Sequence, residues 1–441
     1  MRAPSLADRK AGALRILLVK PKWFVKGGVY RYLEGVRFTP LHLGILAALA
    51  DGHEVRCVDG DWEEIPFGER FDLVGITSTT FTSERAYAIA DRFRANGAKV
   101  VMGGVHASLL PEECLEHADA VVIGEAEETW PRVLADASRG ALERQYRAER
   151  PVDLAKVPFP ARELLGETSW FACIQATRGC TNRCRYCYLP SVPWGEFRKR
   201  PLDKVLEELE RIKQPVVFFV DDNLFADREY ALALFRAMRP MRKTWAIQMP
   251  TNVARDDELV DAMAESGCFN VQVGFQTVNP RSLDWAEVRQ NRVDAYADVV
   301  RRMHQRRILV TAFFMFGFDH DDARIFRETV SVAKEIDLDD AHLYVLTPYP
   351  GTELYKKFRE EGRLIEGKSR SAFGWSEATF RPALMSPETL ERGVEWANRE
   401  LYRHFRREAV RKLLARVGFL VTHPALARVM ISGSLRPAHR R

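Results

Sequence analysis

The chain has 441 residues, 46% hydrophobic and 29% charged, a composition that suits a folded protein of two or three domains and excludes a disordered one. Its formal net charge of +5 is small for this length and by itself points to no nucleic-acid partner. No apolar stretch is long enough to span a bilayer and the first apolar run, 14–19, is too short for a signal sequence, so the expectation is a cytoplasmic protein without disulfides.

The first third alternates strand and helix. The run 15–19 reads as a buried parallel strand, and a helix over 41–50 ends at Asp51-Gly52, a C-cap signal. Strands follow at 55–58 and 73–77, then a helix over 83–95 closed by Asn96-Gly97. Further strands at 99–102 and 120–123 run into Gly103-Gly104 and Gly124-Glu125. This alternation predicts a doubly wound parallel sheet over 1–150. Pro151, Pro158 and Pro160 mark a linker over 151–168. A second βα series has predicted strands at 172–176, 216–220, 244–249, 270–274, 310–316 and 341–346. Helices over 202–212, 257–266, 293–306 and 322–335 lie between them. Six such units over 169–360 predict a partial (β/α)6 barrel of the TIM type, with its active site at the C-terminal strand ends. The remainder, 361–441, reads as a helical region that becomes basic. From Leu401 to Arg441 there are ten Arg or Lys and a single acid, Glu408.

Of the seven cysteines, Cys57, Cys114, Cys173 and Cys268 are scattered and read as buried small residues. Cys180, Cys184 and Cys187 instead form C-x3-C-x2-C directly after a predicted strand. Three thiolates can hold three irons of a four-iron cluster and leave the fourth open to a substrate, which makes the cluster a catalytic device. A zinc ribbon would need a second cysteine pair, and a four-cysteine electron carrier a fourth ligand; neither is evident. The segment, with aromatic Tyr186 before Cys187, resembles the signature of the radical S-adenosylmethionine superfamily. The resemblance implies a 4Fe-4S cluster on Cys180, Cys184 and Cys187, whose open iron chelates S-adenosylmethionine. Reductive cleavage then gives methionine and a 5′-deoxyadenosyl radical that abstracts hydrogen. It also implies that Tyr186 lies near the adenine. Asp221 and Asp222, in Asp221-Asp222-Asn223, would stand where the family meets the methionine amino group. Gln276 would stand where many relatives carry Glu, and the turn 347–352 is structural.

In the first domain no G-x-G-x-x-G follows the first strand, which argues against a nicotinamide site. Ligands of such sheets bind at the C-terminal strand ends, here the loops 20–24, 77–81, 103–108 and 124–128. Segments 39–44, 52–55, 103–106 with 111–113, and 124–127, in that order, resemble the cobalamin-binding domain found before many radical S-adenosylmethionine cores. The resemblance implies cobalamin on Thr77, Ser78, Thr79, Gly103, Gly104, Val105, Gly124 and Glu125. The cobalt-ligating D-x-H-x-x-G motif is missing. Asp51-Gly52-His53 is a near miss lacking the final Gly, and His42 and His106 read as turn or loop histidines rather than ligands.

Two N-terminal cysteines are too few for the second cluster of a methylthiotransferase, and no cysteine follows Cys268 to serve an auxiliary cluster or a methylated-cysteine mechanism. The resemblance therefore implies a cobalamin-dependent C-methyltransferase acting on an unactivated carbon of a small-molecule or lipid-like substrate. An electron donor such as flavodoxin or ferredoxin would serve it. The alternatives are a cobalamin-dependent oxidative cyclase or rearrangement enzyme, and a non-catalytic cofactor sensor. Arg403, Arg406, Arg407, Arg411 and Lys412 interleave with Leu401, Phe405, Leu413 and Leu414. That pattern suits a helix packed on the barrel with a solvated basic face, or one lying on an anionic membrane.

Overall fold

The computed structural model describes residues 12–23, 38–167 and 170–415, with side chains as far as Glu408. Two compact units divide them: 12–23, 39–167 and Ser369–Ser371 form the first, and the remainder the second.

The first unit is built on six strands: β1 (Arg15–Lys20), β2 (Glu54–Asp59), β3 (Leu73–Thr77), β4 (Lys99–Gly103), β5 (Ala120–Ile123) and β6 (Gln145–Arg147). They are all parallel, in the order β2-β1-β3-β4-β5-β6. Both faces are buried, which is why the strands read as continuous apolar runs. Leu17, Val19, Val74, Ile76, Val100 and Met102 enter one core, under α2 (Ser83–Ala95), α3 (Val105–Leu109) and α4 (Pro111–Leu115). Ile16, Leu18, Leu73, Val101 and Val122 enter the other, under α1 (Leu41–Ala48) and α5 (Trp130–Ser138). Strand order reverses between β1 and β3, so the crevice for a ligand opens at their C-terminal ends. The proline-rich segment packs on this unit: Ala161 N donates to Gly44 O at 3.0 Å, and a Cβ on Gly44 would meet Leu165 at 2.8 Å.

The second unit carries β7 (Phe171–Ile174), β10 (Val216–Phe219), β11 (Thr244–Met249), β12 (Cys268–Gln276), β13 (Leu309–Phe316) and β14 (Asp340–Val345). These form an open parallel sheet in the order β14-β13-β12-β11-β10-β7. This is the partial (β/α)6 barrel that the sequence predicts. Its crossover helices are α6 (Leu202–Arg211), α7 (Arg228–Met238), α8 (Asp257–Glu265), α9 (Pro280–Trp285), α10 (Tyr296–Gln305) and α11 (Ile325–Glu335). A two-strand hairpin, β8 (Thr177–Arg178) with β9 (Arg198–Lys199), follows β7. After the sheet come α12 (Glu353–Glu360) and the long α13 (Pro387–Ala415). α13 buries Leu390, Val394, Ala397, Leu401 and Phe405 in the same core as the barrel strands, so this stretch packs on the barrel. Residues 416–441 lie outside the described residues. Among the described residues no helix is long and apolar enough to cross a membrane.

Candidate active site

The three clustered cysteines sit on the loop between β8 and β9, beyond the end of β7. Gly179 opens the loop at φ +81°, and a Cβ there would lie 2.1 Å from the Glu196 carbonyl oxygen. Only glycine lets the two arms approach so closely. Cys180 N donates to Gly195 O at 3.1 Å, and Gly179 N to the Asp222 carboxylate at 2.9 Å. Arg200, at the foot of the hairpin, donates to Gln175 O and pairs at 2.6 Å with Glu208, both nearly fully buried. A buried pair of this kind fixes geometry more than it adds stability.

Amide donors reach two of the sulfurs. Asn182 N and Asn223 Nδ2 approach Cys180 Sγ at 3.4 and 3.5 Å, and Gln290 Nε2 approaches Cys184 Sγ at 3.7 Å. Donors to cysteine sulfur stabilise thiolates and tune iron–sulfur clusters. Burial pushes the Cys184 thiol up and the Cys187 thiol up to about 12, so ligation must displace their protons. A structural zinc wants four ligands on one ion, whereas a cluster spreads its ligands over separate irons, so three thiolates on one loop suit a cluster.

The strand-end residues differ in what they have left to offer. Asp221 is 1% exposed and accepts from Ala176 N at 3.1 Å, from Thr177 N, and from Thr177 Oγ1 at 2.6 Å. It ties the end of β7 to the end of β10, and burial pushes its carboxyl up to about 7. Burial also raises the Asp222 carboxyl, against the lowering contacts of Gly179 N, Arg178 and Arg198. Asn223 is buried, and its Oδ1 has no hydrogen-bond partner. An orphaned acceptor beside Cys180 suits the ammonium group of a chelated amino acid. Gln276 closes β12 at φ +70°, a rare backbone for a non-glycine residue. Its amide folds back so far that a Cβ on Gly274 would lie 2.2 Å from Nε2. Tyr186 is half-buried with its ring edge-on to Phe318 at 6.3 Å. Asn223 belongs to the run that the sequence placed here, but its approach to Cys180 from 43 residues away is not legible in the sequence, and Gln290, 106 residues from Cys184, escapes sequence reasoning altogether.

In the first unit, Thr77 ends β3 with Ser78 and Thr79 after it, Gly103 ends β4 with Gly104 and Val105 after it, and Gly124 and Glu125 follow β5. All stand at C-terminal strand ends. Gly104, at φ +93°, leaves no room for a side chain, because a Cβ would meet Thr77 Oγ1 at 2.7 Å and Ser78 O at 2.8 Å. Ser78 N donates to Gly103 O at 2.9 Å, while the buried Ser78 hydroxyl has no partner. Thr79 is exposed and caps the turn before α2 with Thr82. Ser108 Oγ donates to Gly104 O and accepts from Gly124 N, joining two loops, and Glu125 accepts from Val152 N. Close-packed glycine backbone with an unpaired hydroxyl fits a large ligand's polar tail. Trp23 also belongs to this crevice, 4.5 Å from Phe81; Phe24 lies outside the described residues.

His106 is fully buried. Its Nε2 lies 2.8 Å from Tyr87 Oη and its Nδ1 3.3 Å from Thr80 Oγ1, so both nitrogens are engaged within the protein. Tyr87 donates its one proton to Glu113 at 2.9 Å, so its oxygen is left to accept from His106 Nε2, which itself stands 3.5 Å from Glu113. Arg370 completes the chain with an ion pair to Glu113 at 2.5 Å. His42 is exposed on α1, and His53 accepts from Leu14 N at 3.0 Å.

Residues 174–333 match the family model of the Radical SAM superfamily, and residues 38–134 that of the B12 binding domain. Over 420 residues the chain is 30% identical to bacteriochlorophyllide d C-12(1)-methyltransferase of Chlorobaculum tepidum, with 91% of each chain covered. It is 27% identical to the same organism's bacteriochlorophyllide d C-8(2)-methyltransferase, covering 73% of this chain and 76% of that one. Among solved structures it resembles the radical S-adenosylmethionine methyltransferase TsrM of Kitasatospora setae with cobalamin and its 4Fe-4S cluster bound. The TM-score is 0.67 at 17% identity, with 87% of this chain and 89% of that one covered.

Proposed function

The chain belongs to the cobalamin-binding radical S-adenosylmethionine enzymes, and on that premise we propose that it methylates a carbon of a small conjugated substrate. The cofactors of this family are a 4Fe-4S cluster, S-adenosylmethionine and cobalamin. The cluster supplies the electron that splits S-adenosylmethionine, and cobalamin carries the methyl group.

The supporting observation is the loop of Cys180, Cys184 and Cys187, with side-chain amides of Asn223 and Gln290 aimed at two of its sulfurs. In this reading the three thiolates hold the cluster, and the Asn223 carbonyl oxygen receives the amino group of S-adenosylmethionine. Gln276 and Tyr186 border the nucleoside. Asp221 holds β7 against β10, and through Ala176 and Thr177 it fixes where the cysteine loop starts. The loops at Thr77–Thr79, Gly103–Val105 and Gly124–Glu125 hold cobalamin by backbone and by the Ser78 hydroxyl. Electrons come from a flavodoxin- or ferredoxin-like donor.

Two relatives carry bacteriochlorophyllide d in their names, so that compound is the first substrate to test. Anaerobically reconstituted protein, cobalamin, a strong reductant and S-adenosylmethionine with a deuterated methyl group are incubated with it. The expected result is 5′-deoxyadenosine, S-adenosylhomocysteine and a product that gains the label. Deoxyadenosine without S-adenosylhomocysteine would overturn methyl transfer and favour a radical cyclisation or rearrangement. Alanine at Cys180, Cys184 or Cys187 should abolish all three products along with the bound iron.

A further inference from the structure

β12 is bulged near its C-terminal end. Its register with β13 shifts between Gly274, opposite Phe313, and Gln276, opposite Phe314, which leaves Phe275 as an extra residue. A bulge interrupts the ladder and re-aims the side chain beside it. Here it delivers Gln276 in the left-handed conformation, at φ +70°. Such a backbone persists only where surrounding contacts hold it.

Those contacts come from the stretch after α9 and from one tyrosine. Asn291 is buried and its amide nitrogen donates to Gly274 O at 2.7 Å and to Phe275 O at 2.9 Å. Tyr296, at the start of α10, brings Oη to 2.6 Å from Phe275 O and 3.0 Å from Thr277 O. Asn291 thus holds the strand just before Gln276, and Tyr296 holds it on both sides. The same stretch also grips the cysteine loop. Arg185 N donates to Ala286 O at 3.0 Å, and Gln290 Nε2 approaches Cys184 Sγ at 3.7 Å. The buried Thr251 hydroxyl, just after β11, lies 2.8 Å from Gln290 O and 2.9 Å from Asn291 Oδ1. It fixes the two neighbours together.

We infer that Asn291 is a positioning residue that sets two parts of the active site at once: the Gln290 amide on the Cys184 sulfur, and the bulge that presents Gln276. This rests on the proposed placement of a cluster on the three cysteines and of the nucleoside beside Gln276. An N–H aimed at a ligating sulfur favours the more negative, reduced state of a cluster over the oxidised one, and so raises its potential. Without Asn291 the two carbonyls lose their donor, the bulge relaxes toward extended strand, and the Gln276 amide turns away. The cluster's potential and the affinity for S-adenosylmethionine are therefore linked through a residue whose own amide is given to the backbone.

The test uses full-length, anaerobically reconstituted protein and needs no turnover. Redox titration followed by electron paramagnetic resonance reads the cluster's midpoint potential. Equilibrium dialysis with the cluster oxidised reads the affinity for S-adenosylmethionine. Gln290→Leu should move the potential to more negative values and leave the affinity in place. Gln276→Leu should weaken binding by about 5- to 10-fold and leave the potential in place. Asn291→Leu, similar in size but without hydrogen bonds, should do both, and Thr251→Val should do both to a smaller extent. Iron per chain reports whether each variant holds its cluster, and Thr251→Val decides the question if Asn291→Leu loses its iron. Wild-type values in the deciding variant, or a change in only one of the two quantities, would overturn the inference. A Gln276→Leu protein that binds as the wild type does would overturn it together with the nucleoside placement. Shifts as expected without methyl transfer would sink the methyltransferase reading alone.

Discussion

Gly179→Ala tests whether the cysteine loop depends on one backbone approach. Two costs are legible at this site. An L-residue at φ +81° pays about 1–2 kcal/mol for the left-handed conformation. The new Cβ would also stand 2.1 Å from Glu196 O and 2.5 Å from Gly195 O. Ordinary carbon–oxygen contacts fall at about 3.3–3.6 Å, so the opposing backbone must retreat by about 1 Å. That retreat breaks the Cys180 N to Gly195 O bond, a further loss of about 1 kcal/mol. Gly140 separates the two effects: it has φ +69°, and a Cβ added there would meet nothing within 4 Å, so Gly140→Ala pays only the conformational cost. Anaerobic urea unfolding, with iron and acid-labile sulfide counted per chain, reads both. Gly140→Ala should lose about 1–2 kcal/mol and keep its iron. Gly179→Ala should lose at least about 2–3 kcal/mol and most of its iron. Equal stability losses with full iron in both would refute the reasoning.

Tyr87→Phe removes the hydroxyl between His106 and Glu113, leaving the buried His106 Nε2 with only its longer 3.5 Å approach to Glu113, a loss of about 1 kcal/mol. Cobalamin affinity, read by absorbance titration, should fall with it, and unchanged affinity would free these loops from dependence on the network. The His106 ring first, then Arg370 and Tyr87, hold the Glu113 carboxyl at about 2. Its stabilisation is therefore complete above the unfolded value of about 4.3 and lost as pH falls toward 2. Glu113→Gln should flatten acid unfolding over that window. Asp321 is the opposite case: burial pushes its carboxyl up to about 7, despite donors from Ser282, Gly317 and Phe318. The folded state then binds the extra proton, so stability falls as pH rises from about 4 to about 7. Asp321→Asn should remove that part of the slope in unfolding midpoints measured at pH 5 and pH 8.

The parallel strands were legible because burial on both faces leaves continuous apolar runs, as in Ile16–Val19 and Val216–Phe219. β6, with the sequence Gln-Tyr-Arg, carries no such run and pairs at the sheet edge. The hairpin of β8 and β9 has only two residues per strand, too few for any periodic signal. The three clustered cysteines announce themselves by spacing, because one short loop carries them all. Their partners do not: Asn223 and Gln290 arrive through the order of strands and helices. The return of Ser369–Ser371 to the first unit, where Arg370 meets Glu113, has no local sequence mark either.

Hydrogen-bond accounting divides the Asp221-Asp222-Asn223 run in a way that residue type could not. By chemistry the two carboxylates are the natural partners for an ammonium group. Yet Asp221 already accepts from two backbone amides and a hydroxyl, so offering it to a ligand would strip the end of β7 of its anchor. Asp222 is committed to Gly179 N, the residue that opens the cysteine loop. The neutral neighbour, Asn223, spends its amide on Cys180 Sγ and keeps a buried, unpartnered carbonyl oxygen. Leaving such an atom unsatisfied costs about 1–3 kcal/mol, a cost that a bound donor would remove. The Ser78 hydroxyl stands in the same condition at the end of β3. A polar atom that is buried, unpaired and located at a C-terminal strand end has hydrogen-bonding capacity to spare, whereas Asp221 and Asp222 have theirs committed to the fold.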